Sequence, residues 1–210
     1  MNTTSDDRTF ASEDALSRAF PTVPKELYQE KFKMQPWKLL KSQIVFDNFM
    51  KIEERTYEMP DGQTKNFYIK LTSPSICVLA LTEDNKVITV EQFRPGPNRI
   101  LNELPGGYVD EGETREEAIA RELREETGYE GNIQFVTNCF DDAYVTMERG
   151  CFVATNCKKV SDQQLDDSEF LNVKLVDLPD FMKQIRSGQM TDVEAAFLGL
   201  DYLGLLNEKA

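Results

Sequence analysis

Three glutamates at helical spacing carry the strongest chemical signal in this sequence. Glu122, Glu125 and Glu126 fall within one narrow arc of a helix at roughly 100° per residue, while Ile119 and Leu123 face a neighbouring arc. Like charges at this spacing repel each other and raise one another's pKa unless a positive group lies between them. A divalent cation with oxygen ligands, such as Mg²⁺, would relieve that repulsion. The alternative interpretation is an acidic helix face in contact with solvent.

The predicted helix that carries these glutamates has a marked beginning and end. Thr114 can cap its first turn, and Glu117, three residues further on, can reach back to form a capping box. Gly128 follows the last turn, where helices often end in a left-handed residue. The sequence therefore predicts a helix that begins after Thr114 and ends at Gly128.

Two neighbouring features favour a ligand site over a solvent-exposed acidic face. Gly106 and Gly107 lie in a glycine-rich loop before the helix, where a missing side chain lets the backbone approach a metal or a phosphate closely. Arg121 precedes Glu125 by one helical turn and can orient its carboxylate through charge-assisted hydrogen bonds. The loop and the helix are therefore expected to form one site.

Composition narrows the chemistry that this site can use. The 210 residues include no histidine, which excludes Ser-His-Asp catalysis, Cys-His catalysis and histidine-containing zinc sites. The net charge of −13 disfavours a nucleic acid polymer as a partner, and no apolar run approaches the roughly 20 residues of a membrane-spanning helix. The four cysteines lack C-x-x-C spacing and are expected to be buried or idle thiols. Without a signal-peptide pattern, we expect a cytoplasmic protein.

Hydrophobic patterning predicts a mixed sheet flanked by helices. Residues 1–35 are polar and are expected to form a tail or arm, residues 36–73 an N-terminal antiparallel β-hairpin region turning at Pro60-Asp61-Gly62, and residues 74–210 the main domain. Within the main domain, strands are predicted over 76–81, 87–93, 133–140, 150–154 and 170–176, and further helices over 178–186 and 191–206. The apolar hairpin requires another sheet or subunit to pack against, so a homodimer is expected.

The loop and helix together resemble the Nudix box, whose pattern is G-x5-E-x7-R-E-U-x-E-E-x-G-U, with U a bulky apolar residue. The matching residues are Gly107, Glu113, Arg121, Glu122, Leu123, Glu125, Glu126, Gly128 and Tyr129. The resemblance implies an α/β fold, the Nudix α/β/α sandwich with a mixed sheet, and hydrolysis of a nucleoside diphosphate linked to another group. It also implies Mg²⁺ as cofactor, which Mn²⁺ can replace. The implied metal ligands are Glu122, Glu125, Glu126 and a loop carbonyl at Gly106, while Arg121 and Glu125 belong to the catalytic set.

The resemblance extends over roughly residues 37–206 to ADP-ribose pyrophosphatases and related nucleoside diphosphate sugar hydrolases. The Gln-Phe-Arg-Pro strand and the Glu-Leu-Pro-Gly-Gly run imply that Arg94 and Glu103 line the substrate site. Related enzymes use aromatic residues of the hairpin region, which here are Trp37 and Phe67, to sandwich the base, sometimes across a domain-swapped dimer; the alternative for both residues is core packing. Glu169 matches a loop glutamate that serves as general base, and Glu125 is the second candidate for that role.

One departure from this branch leaves the substrate open. ADP-ribose-specific members usually carry a proline about 15 residues beyond the box, whereas this chain has Tyr144 in the sequence Asp-Asp-Ala-Tyr-Val. A tyrosine there is similar to the dinucleoside polyphosphate branch. The expected partner is a small nucleoside diphosphate derivative such as ADP-ribose. The alternatives are a dinucleoside polyphosphate hydrolase of the same fold or a non-catalytic nucleotide-sugar sensor.

Overall fold

A computed structural model describes residues 35–167 and 169–206, so the predicted polar arm lies almost wholly outside the described residues. The first described unit is a three-stranded antiparallel sheet. Its strands are β1 (Lys38–Asp47), β2 (Lys51–Glu58) and β3 (Thr64–Leu71), paired in chain order. The predicted turn at residues 60–62 joins β2 to β3, and a second turn at residues 48–50 divides what was predicted as one arm into β1 and β2. The hairpin region therefore contains one more strand than the pattern indicated.

The main domain is built on a seven-stranded mixed sheet. Its elements are β4 (Ser75–Thr82), β5 (Lys86–Arg94), β6 (Arg99–Glu103), β7 (Gly106–Tyr108), α1 (Arg115–Thr127), β8 (Tyr129–Phe140), β9 (Glu148–Lys159), β10 (Leu171–Asp177), α2 (Leu178–Ser187) and α3 (Val193–Tyr202). The strand order is β10-β5-β4-β9-β8, with β6 pairing β5 and β7 pairing β4. β4 and β9 run parallel, and the other pairs are antiparallel. All the predicted main-domain strands and helices are present.

Alternation along β4 explains why helices cover both faces of this sheet. Ile76, Val78 and Ala80 pack in a cluster with Ile119 and Leu123 of α1. The intervening residues of β4, which point the other way because strand side chains alternate, pack in a second cluster with α2 and α3. A strand that is buried on both faces has a continuous apolar sequence, and β4 has such a sequence. The result is the predicted α/β/α sandwich.

The glycine-rich segment is a strand rather than the loop that its composition suggests. In β7, Gly106 pairs with Cys77 and Gly107 with Ile76 of β4. A Cβ atom on Gly106 would lie 2.2 Å from the Ile76 carbonyl oxygen, so only glycine allows this approach. The pairing fixes the backbone of β7 directly in front of helix α1.

The two sheets meet where the end of β3 contacts the segment between β8 and β9. The Lys70 amide donates to the Tyr144 carbonyl at 2.9 Å, and the Thr72 amide donates to Thr146 Oγ1 at 3.3 Å. These bonds bring the segment around Tyr144 beside the N-terminal sheet. Over residues 35–167 and 169–206, no helix combines the length and the apolar character that crossing a membrane requires.

Candidate functional site

Helix α1 has the ends that the sequence predicts. The Thr114 hydroxyl accepts from the Glu117 amide at 3.2 Å, and the Glu117 carboxylate accepts from the Thr114 amide at 2.9 Å, which completes the capping box. Gly128 ends the helix in the left-handed region, with φ of 76°. Ile119 and Leu123 are fully buried against the sheet. This anchoring fixes which face of α1 the glutamates present.

Arg121 lies at the centre of the carboxylate cluster. Its Nε and Nη2 atoms each donate to Glu113 at 3.0 Å, and its Nη1 donates to Glu122 at 3.0 Å and to Glu125 at 3.1 Å. The predicted contact with Glu125 is therefore present, together with the contacts to Glu113 and Glu122, which spacing alone did not indicate. The Glu113 hydrogen bonds and those of the other glutamates raise the pKa of Arg121. One guanidinium thus holds three carboxylates in place.

Glu122 and Glu126 face the glycines of β7. The Gly106 amide donates to Glu126 Oε2 at 2.9 Å, and a Cβ atom on Gly107 would lie 2.2 Å from Glu122 Oε1. Glu126 is 5% exposed, and its burial, with a smaller effect from the charges of Glu122 and Glu169, raises its pKa to about 8. Burial likewise raises the pKa of Glu122. Both carboxylates lie against the backbone of Gly106 and Gly107. Their burial there makes the negatively charged form unfavourable.

The donor set fits a hard divalent cation. The cluster offers the carboxylate oxygens of Glu122, Glu125 and Glu126 beside the backbone of Gly106, with no nitrogen or sulfur ligand among them. Mg²⁺ favours such oxygen ligands. The absence of a side chain at Gly107 leaves the space that Glu122 occupies, and burial raises the pKa of both Glu122 and Glu126. The predicted metal ligands therefore lie on one side of α1 beside β7, and their role as ligands stays a prediction.

Glu169 approaches the same cluster from the segment between β9 and β10. This segment is tied to the end of α1, because the Gln164 amide donates to the Glu125 carbonyl at 2.8 Å and Gln163 Nε2 donates to the Glu126 carbonyl at 2.7 Å. The negative charge of Glu169 contributes to the raised pKa of both Glu122 and Glu126. The exposed carboxylate of Glu169 therefore lies within electrostatic range of the predicted metal ligands.

Arg94 and Glu103 form a bidentate ion pair next to β7. Arg94 Nε donates to Glu103 Oε1 at 2.7 Å, and Nη2 donates to Oε2 at 2.5 Å. Glu103 is 2% exposed, whereas the Arg94 side chain is 45% exposed, and this pairing raises the pKa of Arg94. A cavity of about 330 Å³ is lined by both residues together with Gly106 and Gly107. The predicted substrate residues thus border the same backbone as the glutamates.

Arg149 and Asp192 also line this cavity, and sequence reasoning missed both. Arg149 Nη1 donates to Asp192 Oδ1 at 2.5 Å, and Arg149 Nε lies 3.0 Å from Asp141 Oδ1. The sequence signals were indirect: Arg149 directly precedes the strand predicted over residues 150–154, and Asp192 lies in the first turn of the helix predicted over residues 191–206. Glu113, a defined position of the box, was likewise missing from the candidate site residues.

A second cavity of about 470 Å³ adjoins the first. It shares Ser75, Tyr108 and Arg149 with the first cavity and adds Tyr68, Lys70 and Tyr144. Tyr144, the residue that departs from the ADP-ribose pattern, therefore lines the cleft. The two cavities together extend from Gly106 and Gly107 of β7 towards Tyr68 and Lys70 of the N-terminal sheet.

Trp37 and Phe67 lie elsewhere on the N-terminal sheet. Their ring centroids are 5.5 Å apart, and Tyr57 completes an aromatic cluster with them. Neither is a lining residue of the two cavities described above, where the neighbouring Tyr68 appears instead. Their predicted role in base binding stays a prediction.

The four cysteines are free thiols, and three of them lie near one another under α3. Cys139 Sγ is 3.4 Å from Cys151 Sγ, and Cys77 pairs with Cys151 across β4 and β9. Cys77, Cys151 and Cys157 are buried and Cys139 is partly buried, which agrees with the prediction of packed thiols.

The family follows from comparison with known proteins. The chain matches the NUDIX domain over residues 71–194, which is more than half of its length. The chain belongs to the Nudix family. The resemblance identified from the sequence is confirmed, as is the expectation of a Nudix hydrolase. Nudix hydrolases generally use divalent metal ions, in agreement with the oxygen donors of the site.

Two curated relatives span most of this Nudix chain. The ADP-ribose pyrophosphatase of Bacillus subtilis (strain 168) is 31% identical over 174 residues, covering 80% of this chain and 91% of the relative. The methanol dehydrogenase activator of Bacillus methanolicus is 30% identical over 176 residues, covering 80% of this chain and 92% of the relative. A crystal structure described as an ADP compounds hydrolase matches with a TM-score of 0.70 at 20% identity, covering 84% of this chain and 99% of that one. That structure confirms the Nudix fold.

Replacing Arg121 with Met should destabilise this Nudix domain measurably. The change leaves Glu113, Glu122 and Glu125 without their shared donor, and lost charge-assisted hydrogen bonds at a partly exposed site are worth about 1–3 kcal/mol. Urea unfolding in EDTA measures the difference. Arg124→Met is the matched control on the same helix, because Arg124 contacts only the exposed Glu130 at 3.5 Å among the described acids. Equal stability of the two variants would show that Arg121 does not hold the cluster together.

Proposed function

We propose that this chain catalyses Mg²⁺-dependent hydrolysis of the diphosphate bond of ADP-ribose or a related nucleoside diphosphate sugar, releasing a nucleoside monophosphate and a sugar phosphate. The main support for this function is the position of the segment from Glu103 to Gly107. The segment from Glu103 to Gly107 links the cavity, where Glu103 holds Arg94, to the carboxylate cluster, where Gly106 and Gly107 contact Glu126 and Glu122. A diphosphate bound at Arg94 would therefore lie beside the metal ligands. The 31% identity to an ADP-ribose pyrophosphatase supports this substrate class.

Glu122, Glu125, Glu126 and the carbonyl of Gly106 would hold the cation. When bound, Mg²⁺ would neutralise the diphosphate, favour deprotonation of the attacking water and stabilise the charge of the leaving phosphate. Arg121 keeps Glu122 and Glu125 oriented before substrate arrives, so that little reorganisation is needed during the reaction. Mn²⁺ can take the place of Mg²⁺, since the two ions accept the same carboxylate ligands.

Arg94 can bind the diphosphate without leaving Glu103. Its Nε and Nη2 atoms donate to Glu103, while Nη1 has no hydrogen-bond partner among the described residues and can donate to a phosphate oxygen. Because Glu103 is almost fully buried, it fixes the guanidinium at the cavity wall. Arg94 thus positions the phosphates of the substrate, and Glu103 sets the orientation of the Arg94 guanidinium.

Glu169 is the preferred general base. During hydrolysis the oxygen of water forms a new bond to phosphorus, the bridging phosphorus–oxygen bond breaks, and the proton of water passes to a carboxylate. Glu125, the second candidate, already accepts a hydrogen bond from Arg121 at 3.1 Å, so one of its carboxylate oxygens is engaged before water binds. Glu169 is exposed, accepts only from the Asp166 amide of its own segment among the described groups, and lies within electrostatic range of Glu122 and Glu126.

A substrate panel tests the proposed reaction and its selectivity. ADP-ribose, GDP-mannose, UDP-glucose, NADH and diadenosine polyphosphates are incubated with the enzyme and Mg²⁺, and the products are separated by ion-exchange chromatography. We expect a nucleoside monophosphate and a sugar phosphate from one nucleotide sugar. Preferred cleavage of a diadenosine polyphosphate would favour the alternative that Tyr144 suggests. Binding of a nucleotide sugar without any cleavage would favour a sensor.

The proposal includes a homodimer formed through the N-terminal sheet. All ten residues of β1 are exposed in the single chain, among them Leu39, Leu40, Ile44, Val45 and Phe46. β1 is an edge strand of the N-terminal sheet, and an exposed edge strand with apolar side chains is a common site of association. In such a dimer Trp37 and Phe67 would reach the cleft of the partner subunit and stack on the base. The partner ligand would be a small nucleotide sugar, with neither a nucleic acid polymer nor a membrane involved.

Ile44→Glu should convert the dimer to a monomer. Ile44 is 47% exposed in the single chain, so a charge there should disturb an interface more than the fold of the subunit. Light scattering after size exclusion measures the mass. Leu175→Glu in β10 is the control, since Leu175 is an equally exposed strand residue of the other sheet. A monomeric wild-type protein would overturn the dimer.

We also infer that the enzyme works in the cytoplasm. All four cysteines are free, although Cys139 and Cys151 lie close together. Free neighbouring thiols are typical of a reducing compartment. Fractionation of cells that express the full chain tests this location, and recovery outside the cytoplasmic fraction would contradict it.

A further inference from the structure

Asp192 occupies the N-cap position of α3 but does not cap that helix. Its carboxylate makes no hydrogen bond to the first turn, although aspartate is a preferred cap because it can do so. Instead, Oδ2 accepts from the Leu104 amide at 3.1 Å and from Thr191 Oγ1 at 3.1 Å. Asp192 is 5% exposed, so its carboxylate is committed to a segment 88 residues away in the chain.

That segment carries the two halves of the proposed site. Leu104 directly follows Glu103, the partner of Arg94, and lies two residues before Gly106, whose amide donates to Glu126. On its other side, the Pro105 carbonyl accepts from the Val78 amide of β4 at 2.9 Å. Segment 103–106 is therefore held between the central sheet and Asp192.

Arg149 holds the Asp192 carboxylate in turn. Its Nη1 donates to Asp192 Oδ1 at 2.5 Å and lies 3.5 Å from Glu194, while its Nε lies 3.0 Å from Asp141. A buried carboxylate without a cation would be unfavourable, and Arg149 supplies that cation. Arg149 at the beginning of β9 thus binds Asp192 at the beginning of α3, and Asp192 binds the Leu104 amide of segment 103–106.

We propose that Asp192, oriented by Arg149, is a positioning residue that sets the geometry of segment 103–106 for both metal binding and substrate binding. This inference rests on the proposed function of the same site. Neighbours that orient metal ligands typically change metal affinity or activity by about 10–100-fold when they are removed. Loss of the Leu104 hydrogen bond would release Glu103 and Gly106 together, so both kinds of binding would weaken at once.

The test compares Asp192→Ala with Asp177→Ala. Asp177 is the N-cap residue of α2, also makes no cap hydrogen bond, and its exposed side chain contacts only Lys86 at 4.0 Å among the described basic groups. Three quantities are measured on the full chain: the exchange rate of the Leu104 amide by NMR, the affinity for Mn²⁺ from the EPR signal of the free ion, and kcat and KM for ADP-ribose. Asp192→Asn, which keeps one acceptor oxygen and nearly the same shape, is measured in parallel.

For Asp192→Ala we expect faster exchange at Leu104, Mn²⁺ affinity weaker by about 10–100-fold, and a rise in KM with a fall in kcat. Asp192→Asn should lie between this variant and the wild type, and Asp177→Ala should match the wild type. If Asp192→Ala does not fold, Asp192→Asn is compared with Asp177→Ala instead.

Wild-type exchange and wild-type Mn²⁺ affinity in a folded Asp192 variant would overturn the proposal, as would equal losses in Asp177→Ala. Absence of ADP-ribose cleavage by the wild type would count against the proposed function alone, because exchange at Leu104 and Mn²⁺ binding are read without substrate.

Discussion

Glu126→Gln is expected to abolish most turnover while making the metal-free protein more stable above neutral pH. Removing one preorganised charge from a site of this kind typically lowers kcat by about 10²–10³-fold. Gln keeps an oxygen that can accept from the Gly106 amide, but it removes a buried charge near Glu122 and Glu169. We therefore expect the reaction to require the Glu126 carboxylate, whose buried charge is unfavourable for the metal-free fold.

The pH dependence of stability has a definite sign. Burial raises the pKa of Glu126 from 4.5 to about 8, so between these values the folded metal-free protein binds one proton more than the unfolded chain. The free energy of unfolding therefore falls as pH rises from about 5 to 8. Glu126→Gln removes this contribution, and its stability advantage over the wild type should grow across that range.

Urea unfolding in EDTA at pH 5.5, 7 and 8.5 measures this contribution. Glu116→Gln is the matched control, because Glu116 is an exposed acid in the first turn of the same helix. Saturating Mg²⁺ should stabilise the wild type and the control but not Glu126→Gln, since binding to the folded state alone raises stability. If Glu126→Gln is less stable than the wild type at pH 8.5 in EDTA, the interpretation of Glu126 as a metal ligand whose buried charge destabilises the metal-free fold is wrong.

Glu169→Gln is expected to lower kcat by about 10²–10⁴-fold, the usual contribution of a general base. The introduced amide cannot accept the proton of the attacking water, but its oxygen can still accept a hydrogen bond from the Asp166 amide, so the segment should keep its conformation. KM should change little. Steady-state kinetics with ADP-ribose and saturating Mg²⁺ measure the split between the two constants.

Two further variants distinguish the base from its neighbours. Asp167→Asn removes an exposed acid from the same segment and should behave as the wild type. Glu125→Gln should affect Mg²⁺ affinity more than kcat at saturating Mg²⁺. A larger loss of kcat in Glu125→Gln than in Glu169→Gln would transfer the role of general base to Glu125.

Local rules were sufficient to predict helix α1 and the face that its glutamates share. The capping box at Thr114, the left-handed Gly128 and the buried Ile119 and Leu123 all act within a few turns of one helix. Alternation and apolar runs likewise predicted the central strands. Both sets of features depend on residues that are close in sequence, which is why the pattern alone determined them.

Contacts between distant segments were not predictable in the same way. Asp192 lies in the first turn of the helix predicted over residues 191–206, and nothing near it in the sequence indicates that its carboxylate accepts from the Leu104 amide. Strand β7 was missed because glycine has low strand propensity, although its pairing with β4 depends on that missing side chain. Arg94 and Glu103 were named only through the family resemblance, and their ion pair is a result of the pairing between β5 and β6.

The most direct test of metal-dependent hydrolysis at the glutamate cluster measures the release of AMP and ribose 5-phosphate from ADP-ribose over time. The release is measured with Mg²⁺, with EDTA, and after Mg²⁺ is restored in excess. We expect equal amounts of both products with Mg²⁺, no release in EDTA, and recovery of release when Mg²⁺ is restored. ADP-ribose that binds but stays intact, or that is cleaved at the same rate in EDTA, would contradict the assignment of the glutamate cluster as a metal-dependent hydrolytic site.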